Sequence, residues 1–320
     1  MAFVTFLVRR LAMGAVVMWI VSVATFLLFF VAPQDPATQM AGKYPTPGEI
    51  ASINARLGLN QPLLVQYWHF FDRLVHFNLG VSFYTGVPVA TTLRQDLPPT
   101  LSVMVGGAVL WLIVGLSAGI LSATRARSLV DRLATLGVLV GITFPTFVVG
   151  LLLIFFVYKN LNQAGFHWIQ LQYEGPSQSI IGWAGHMILP WITIAAVSAA
   201  TYTRLIRGAL LDTLGEDYIR TARAKGLSER RVLYRHALRS ALTPVISQLG
   251  VDVGTLAGGA VVTETVFGLG GIGQASLTAI NQGDTPVVLG IVLVTALFIV
   301  VANIIVDVLY SVLDPRVRLA

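Results

Sequence analysis

The chain has 320 residues, of which 55% are hydrophobic and 11% are charged, and its mean hydropathy is +0.77. Soluble domains contain about 25% charged residues, so these values exclude an ordinary soluble globule and favour a membrane protein made of apolar helices. The absence of cysteine excludes disulfides and thiolate chemistry, and the net charge of +6 is typical of a membrane protein with basic loops on one side.

Six apolar segments are long enough to cross a bilayer, since about 20 apolar residues span a hydrocarbon core of roughly 30 Å. The predicted spans are 11–31, 100–122, 134–158, 186–206, 244–263 and 287–310. The first run is too long for the apolar part of a signal peptide, so we interpret it as a retained span. We predict an all-α, polytopic membrane fold divided into residues 1–32 with the first span, an external segment 33–99, a transmembrane core 100–310 and a tail 311–320.

The basic residues separate the connecting segments into two faces. Of the 21 Lys and Arg residues, 16 lie in the N-terminus, loop 123–133, the stretch 204–239 and the tail. We call the side of the membrane that holds these segments the basic face. Cytoplasmic loops carry an excess of Lys and Arg. The pattern therefore predicts that the basic face, with both termini, is cytoplasmic.

The long segment 33–99 on the opposite face predicts short helices. Thr46, Pro47 and Glu49 suit the N-cap, the first and the third position of a helix, and Gly58 suits its end. Residues 62–77 are amphipathic and rich in aromatic side chains. Such a helix either anchors at the membrane interface or contacts an external partner, and the sequence leaves both alternatives open.

Pro145 lies inside the third predicted span. A proline removes one helical hydrogen bond and bends the helix. We predict a bend in the helix at this position. The bend either helps gating or is only structural.

The densest charge in the chain is "EDYIRTARAKGLSERRVLYRHALRS", residues 216–240. Glu216 at the start of a helix and Arg223 near its end complement the helix dipole. Gly226 suits a left-handed C′ position, and Ser228 suits the N-cap of a second helix. We therefore predict a helix–glycine turn–helix within a loop over residues 207–243. Ala222 and Gly226 are small and would let another surface approach closely.

Three interpretations of this loop differ in what they require. Positive-inside orientation needs only a few charges and no capped helix pair. Nucleic-acid binding is a poor interpretation, because a loop held between two adjacent spans leaves no recognition surface. A docking role for a polar or acidic partner accounts for both the charge and the capped helices.

The fifth span combines small residues with one acid. Gly250, Gly254 and Gly258 recur every four residues and give a face for close helix packing, either within this chain or with a partner subunit. Asp252 points to another side of the helix. A carboxylate inside a span is costly and often functional. We expect Asp252 to line a pathway or to bond a neighbouring helix.

Glu264 lies at the far end of the fifth span, beside "VFGLGGIG", residues 266–273. This pattern predicts either a glycine-rich external gate or re-entrant turn, or a flexible loop. The five histidines show no i, i+4 pair or acidic cluster typical of a metal site, and no G-x-S-x-G or GxxxxGK[ST] motif occurs. We predict no catalytic residue, no metal site and no bound cofactor.

The stretch "RTARAKGLSERRVLYRHALRSALTPVI" resembles the cytoplasmic EAA loop of ABC importer permeases. Arg220, Thr221 and Ala222 occupy the triplet positions, and Gly226 and Pro244 the following fixed positions. The first two residues depart from the general consensus and are similar to the dipeptide/oligopeptide branch. Five further stretches match that branch in order: 8–36, 57–71, 78–89, 97–103 and 142–156. The stretch 258–273 also matches, with Gly270 where proline is usual.

This resemblance implies a type I ABC importer permease fold with cytoplasmic coupling helices, and identifies the chain as similar to the first of two permease subunits. It implies these partners: a second permease, two ATPases that bind ATP and Mg, an extracytoplasmic binding protein, a peptide cargo and the bilayer. It further implies that residues 207–243, the coupling loop, dock on an ATPase. The coupling residues are then Glu216, Arg220, Thr221, Ala222, Arg223, Gly226, Arg230 and Arg231. Nickel chelates or glutathione are alternative cargoes, and an ion-driven carrier is an alternative mechanism.

Overall fold

A computed structural model describes residues 2–31, 37–38, 46–58 and 60–313. The described helices are α1 (Ala2–Phe26, extended by a π-helical turn, Leu27–Val31), α2 (Pro47–Leu57), α3 (Leu63–Val75), α4 (Val89–Thr124), α5 (Leu129–Thr143), α6 (Thr146–Gln163), α7 (Ile180–Leu214), α8 (Asp217–Ala224), α9 (Glu229–Arg231, a π-helical turn Val232–Ala237, and Leu238–Ala241), α10 (Thr243–Phe267), α11 (Ile272–Gln282) and α12 (Thr285–Leu313). The fold is all-α, as predicted.

Five described helices are long and apolar enough to cross a membrane: α1 with its π-helical turn, α4, α6, α7 and α12. The fifth predicted span corresponds to α10, a helix of 25 residues, and its crossing of the membrane stays a prediction. Helices α4 and α7 have 36 and 35 residues and extend beyond the predicted spans at both ends. Most of the predicted tail, residues 314–320, lies outside the described part of the chain.

The third predicted span is wrong as a single helix. Helix α5 ends at Thr143, and Phe144 and Pro145 are extended, with ψ values of 128° and 146°. The extended backbone at Phe144 has a physical cause, because the ring of a following proline disfavours helical backbone in the preceding residue. Helix α6 begins at the next residue. Pro145 thus separates two helices and does not bend one.

Helices α4 and α7 share the most extensive contact among the described elements, and glycines on α4 permit it. A Cβ atom on Gly115 would lie 3.0 Å from the carbonyl oxygen of Ala199, and one on Gly119 would lie 2.6 Å from that of Thr203. The Thr203 hydroxyl also donates to the Gly115 carbonyl oxygen at 3.3 Å. Only residues without a side chain allow two helix backbones to approach this closely.

We expect Gly119→Leu to lower the thermal stability of the purified protein strongly. A leucine would force α4 and α7 apart, and overpacking of this kind costs about 1–3 kcal/mol or more. The matched control is Gly137→Leu in α5, because a Cβ atom there meets nothing within 4 Å. The measurement is the fraction that stays monodisperse after heating in detergent. An equal loss of monodisperse protein in both variants would contradict the close packing of α4 and α7.

The segment on the opposite face forms the two predicted short helices, α2 and α3. The Val81–Pro88 bridge folds the chain between α3 and α4 into a short loop. The Ser82 hydroxyl and the Phe83 N–H both donate to the Asp284 carboxylate, the latter at 3.1 Å. Asp284 is buried, with 3% exposure. This loop is therefore attached to the start of α12, and residues 32–36 and 39–45 lie outside the described part.

Candidate functional site

The coupling loop consists of the last two turns of α7, then α8, a glycine turn and α9. Gly226 has a φ of +77°, the left-handed conformation that glycine adopts without steric cost. The Gly226 N–H donates to the Arg223 carbonyl oxygen at 2.9 Å, and the Leu227 N–H to that of Ala222 at 3.4 Å. This is the helix-ending arrangement predicted from the sequence. Ser228 is the N-cap of α9, but its side chain makes no capping hydrogen bond.

The inner side of the coupling loop belongs to the hydrophobic core. Ile219 and Val232 are fully buried, and Ala222 is 7% exposed. These side chains pack in the same cluster as Ile206 and Leu210 of α7. The expectation that Ala222 faces a docking partner is therefore wrong, because this small residue lets α8 lie close against its own chain. The core contacts hold a two-helix element that would be marginal alone.

The outer side of the loop is polar. Glu216, Thr221 and Gly226 are exposed. Arg220 pairs with Asp217 at 3.3 Å, and Arg223 joins Glu229 across the glycine turn, with 2.8 Å from Nε to Oε1. Exposed pairs contribute only about 0–1 kcal/mol, so both arginines remain available to a partner.

Arg230 and Arg231 are also exposed. Neither forms an ion pair with any residue in the described part of the chain. Both guanidinium groups are therefore open to an anion on a partner. They agree with the predicted docking surface, which stays a prediction.

A buried ionic cluster supports the base of the loop. Arg207 of α7 donates to both carboxylate oxygens of Asp131, from Nε at 2.8 Å and from Nη2 at 3.0 Å. The Ser122 hydroxyl and the Arg127 backbone N–H donate to the same carboxylate. Asp131 is 6% exposed. The cluster joins α4, α5 and α7 two turns before α7 ends. The cluster was not predicted from the sequence, although a lone aspartate just ahead of an apolar run indicates a buried carboxylate.

The Asp131 cluster predicts a specific response to pH. Hydrogen bonds from Arg207, Ser122 and Arg127 hold the pKa of the Asp131 carboxyl well below its usual value. Such a group stabilises the fold above its ordinary pKa of about 3.9, and the stabilisation is lost as pH falls through the lower folded pKa. We expect Asp131→Asn to lower the Tm by several degrees. The decrease should be equal at about pH 7.5 and pH 5, since both values lie above the pH range in which the stabilisation is lost.

The control for this variant is Asp217→Asn, which removes a carboxylate whose side chain is 95% exposed and should leave the Tm unchanged. The measurement is thermal unfolding in detergent at both pH values. A wild-type Tm for Asp131→Asn, or an effect that disappears at pH 5, would contradict a buried charge with a lowered pKa.

The glycines of the fifth span face the last helix of the same chain. A Cβ atom on Gly250 would lie 3.2 Å from Val306, and one on Gly254 would lie 3.9 Å from Ile299. This agrees with the alternative of packing within the chain for these two positions. Gly258 belongs to α10, but its surroundings lie outside the described side chains.

The other residues predicted for a pathway or gate do not lie together at one site. The Asp252 carboxylate is partly exposed and accepts a hydrogen bond from Gln248, one turn earlier in α10, at 2.9 Å. Pro145 is exposed in the break between α5 and α6. Both alternatives for Asp252 and the gating role of Pro145 stay predictions.

Glu264 is fully buried at the end of α10 and joins three helices. Its Oε1 atom accepts a hydrogen bond from the Thr100 hydroxyl of α4 at 2.6 Å, and Oε2 accepts one from the Gln274 N–H at 3.1 Å. The Ile272 N–H donates to Thr100 Oγ1 at 2.9 Å. Glu264 and Thr100 thus satisfy N–H groups in the first turn of α11. The eleven-residue helix α11 begins at Ile272, near the end of the stretch 266–273, and the gate role of Glu264 stays a prediction.

Gly270 explains one departure from the family pattern. Its φ is +68°, and its N–H donates to Oε1 of Gln274 at 3.0 Å. Proline has no N–H and a φ near −65°. This turn therefore excludes proline at that position.

Comparisons with known proteins agree with this architecture. Residues 115–319 match the family "binding-protein-dependent transport system inner membrane component", and residues 3–104 match its N-terminal family. A probable peptide ABC transporter permease of Sinorhizobium fredii is 38% identical over 98% of this chain and 99% of its own. The dipeptide transport system permease of Escherichia coli K12 is 35% identical and its glutathione transport system permease is 36% identical, each over 98% of both chains.

Proposed function

Because this chain belongs to the family of binding-protein-dependent transport system inner membrane components, we propose that it is a transmembrane permease subunit of an ATP-driven importer for dipeptides or oligopeptides. Peptide and dipeptide permeases are relatives over nearly its whole length. The family consists of transport components of the inner membrane and not of catalytic subunits. The chain thus moves a solute across the cytoplasmic membrane of a bacterium or archaeon.

The coupling loop is the observation that carries this proposal. It presents exposed arginines on one side while its other side is buried in the core next to α7. A force applied to the loop from outside would reach α7 directly, because Ile219 and Ala222 are packed against the same cluster as that helix. An element built in this way suits the transfer of motion from a partner to the spans.

The proposed assembly contains a second permease, two ATPases and an extracytoplasmic binding protein. The ATPases hold ATP and Mg and dock on the coupling loop, so this chain needs no nucleotide site. The distribution of basic residues supports a cytoplasmic basic face with both termini on that side. Closure of the ATPases would move the coupling loop and switch the pathway between inward-facing and outward-facing states.

Reconstitution of the whole importer in liposomes tests the proposal. Uptake of a labelled dipeptide should require ATP on the ATPase side, both permeases and the binding protein. An ion-driven carrier would instead transport with this chain alone and would stop when an ionophore collapses the ion gradient. Uptake without ATPases would overturn the proposal.

The similarity to a glutathione permease favours glutathione as a second candidate cargo. Competition for labelled dipeptide by unlabelled oligopeptide, glutathione or a nickel chelate distinguishes the cargoes. Selective competition by glutathione would replace the peptide assignment and keep the importer assignment.

A further inference from the structure

A cavity of about 320 Å³ lies at the end of the membrane domain opposite the basic face. Its walls come from the end of α1, from α3, from the loop before α4 and from the start of α12. The apolar part of its lining includes Phe29, Phe30, Phe70, Pro286 and Leu289. Two helices long and apolar enough to span a membrane, α1 and α12, have one end at this cavity, which suits the level where lipid headgroups meet the hydrocarbon.

Arg73 lines the cavity, and no anion within the described part of the chain pairs with it. The Arg73 guanidinium is partly buried, and its one hydrogen bond to a described residue goes from Nε to the His69 carbonyl oxygen in its own helix, at 3.3 Å. The neighbouring Asp72 side chain is exposed and lies 3.6 Å from the His76 ring instead. Burial lowers the pKa of Arg73, since removing a cation from water without a counter-ion disfavours its charge.

A second donor faces the same cavity. Asn78 lines it, and its side-chain oxygen accepts a hydrogen bond from the Gly80 N–H at 3.2 Å. No described residue accepts a hydrogen bond from the Asn78 amide nitrogen, so its two N–H groups can serve a ligand. An arginine fork and an amide donor beside an aromatic wall match a ligand with an anionic head and an apolar body.

We propose that this cavity binds the headgroup of an acidic phospholipid from the outer leaflet. The Arg73 guanidinium, which no described carboxylate neutralises, complements the lipid phosphate. Exposed apolar side chains of Leu28, Val31 and Val81, with 67%, 42% and 43% exposure, surround the site and suit contact with acyl chains. The proposal rests on the proposed orientation of the chain in the membrane and not on the cargo. A bound lipid would fill the space between the external segment and the spans.

Lipid retention by the purified whole importer tests this site. After delipidation, phosphatidylglycerol or phosphatidylcholine is added in detergent, and native mass spectrometry counts the retained lipid. We expect the wild type to retain phosphatidylglycerol about fivefold better than Arg73→Gln, from the usual contribution of one basic residue near anionic lipid. Arg94→Gln, which removes an exposed arginine of α4, should match the wild type. Phosphatidylcholine, whose choline offsets the phosphate charge, should be retained less well than phosphatidylglycerol by the wild type.

Three results would overturn the proposal: equal retention by Arg73→Gln, displacement of the lipid by inorganic phosphate, or displacement by a dipeptide. The last would identify a carboxylate of the cargo as the ligand. A second measurement uses a variant in which Arg73 is unchanged. The chain has no cysteine, so Val81→Cys gives a label site at the cavity that is unique within this chain. Phosphatidylglycerol should slow its reaction with a polar maleimide, and an unchanged rate would also count against the lipid.

Discussion

Replacing Gly226 by tryptophan is expected to reduce ATP-dependent uptake roughly tenfold or more while the protein stays folded in the membrane. Forcing a bulky side chain into a packed interface costs about 1–3 kcal/mol, and 1.4 kcal/mol is a factor of ten. Within this chain a Cβ atom at Gly226 meets nothing within 4 Å. The indole would therefore project from the outer side of the coupling loop and obstruct the proposed ATPase contact. The measurement is uptake and ATP hydrolysis in the same proteoliposomes.

Two controls separate docking from backbone strain. Gly226→Asn keeps a residue that tolerates the left-handed conformation but adds little bulk, and it should transport nearly normally. Gly283→Trp adds the same bulk at an exposed glycine with a φ of +69° and open space, at the end of α11. It should not uncouple hydrolysis from uptake. Normal uptake by Gly226→Trp would remove the main support for the docking role of the loop.

The coupling loop shows which features can be predicted from local sequence. The dipole charges, the glycine turn and the start of α9 depend on neighbours within a few residues, and the structure has them where the sequence predicts them. The orientation of Ala222 depends on contacts with α7 and on the packing of Val232. Sequence spacing shows which residues share a helix face, but it does not show which face the rest of the protein covers.

The buried polar contacts of Asp131, Glu264 and Asp284 were not predicted, for the same reason. Arg207 and Asp131 are 76 residues apart in sequence, and Thr100 and Glu264 are 164 apart. No local pattern relates such pairs. Asp284, which binds Ser82 across a separation of 202 residues, is a further example. Charged residues in apolar surroundings were visible in the sequence, but their partners required the three-dimensional arrangement of helices.

The break at Pro145 is an intermediate case. Hydropathy predicted one span because apolar residues continue on both sides of the proline. The local rule for the residue before proline was also readable, and it favours an extended Phe144. The extended backbone in the structure follows that local rule, and hydropathy alone does not report it.

We expect Glu264→Leu to lower the yield of folded protein and its thermal stability severely. Leucine would leave the Gln274 N–H without its acceptor in a fully buried site. The Thr100 hydroxyl would lose its 2.6 Å hydrogen bond and keep only the 3.3 Å contact with the Asp96 carbonyl oxygen. Each buried polar group without a partner costs about 1–3 kcal/mol. The first turn of α11 would lose its link to α10 and α4. The measurement is thermal unfolding of the purified protein, together with the amount recovered from membranes.

Glu264→Gln distinguishes hydrogen bonding from charge at this position. A glutamine can accept from the Gln274 N–H through its oxygen and donate to Thr100 Oγ1 through its nitrogen. The Thr100 hydroxyl would then donate to the Asp96 carbonyl oxygen, which it already approaches at 3.3 Å. We therefore expect near-wild-type stability and uptake from this variant. If the Glu264→Gln protein is stable but fails to transport, the negative charge of Glu264 is instead required for the movement of the spans. A Glu264→Leu protein as stable as the wild type would show that the joint between α4, α10 and α11 does not depend on this carboxylate.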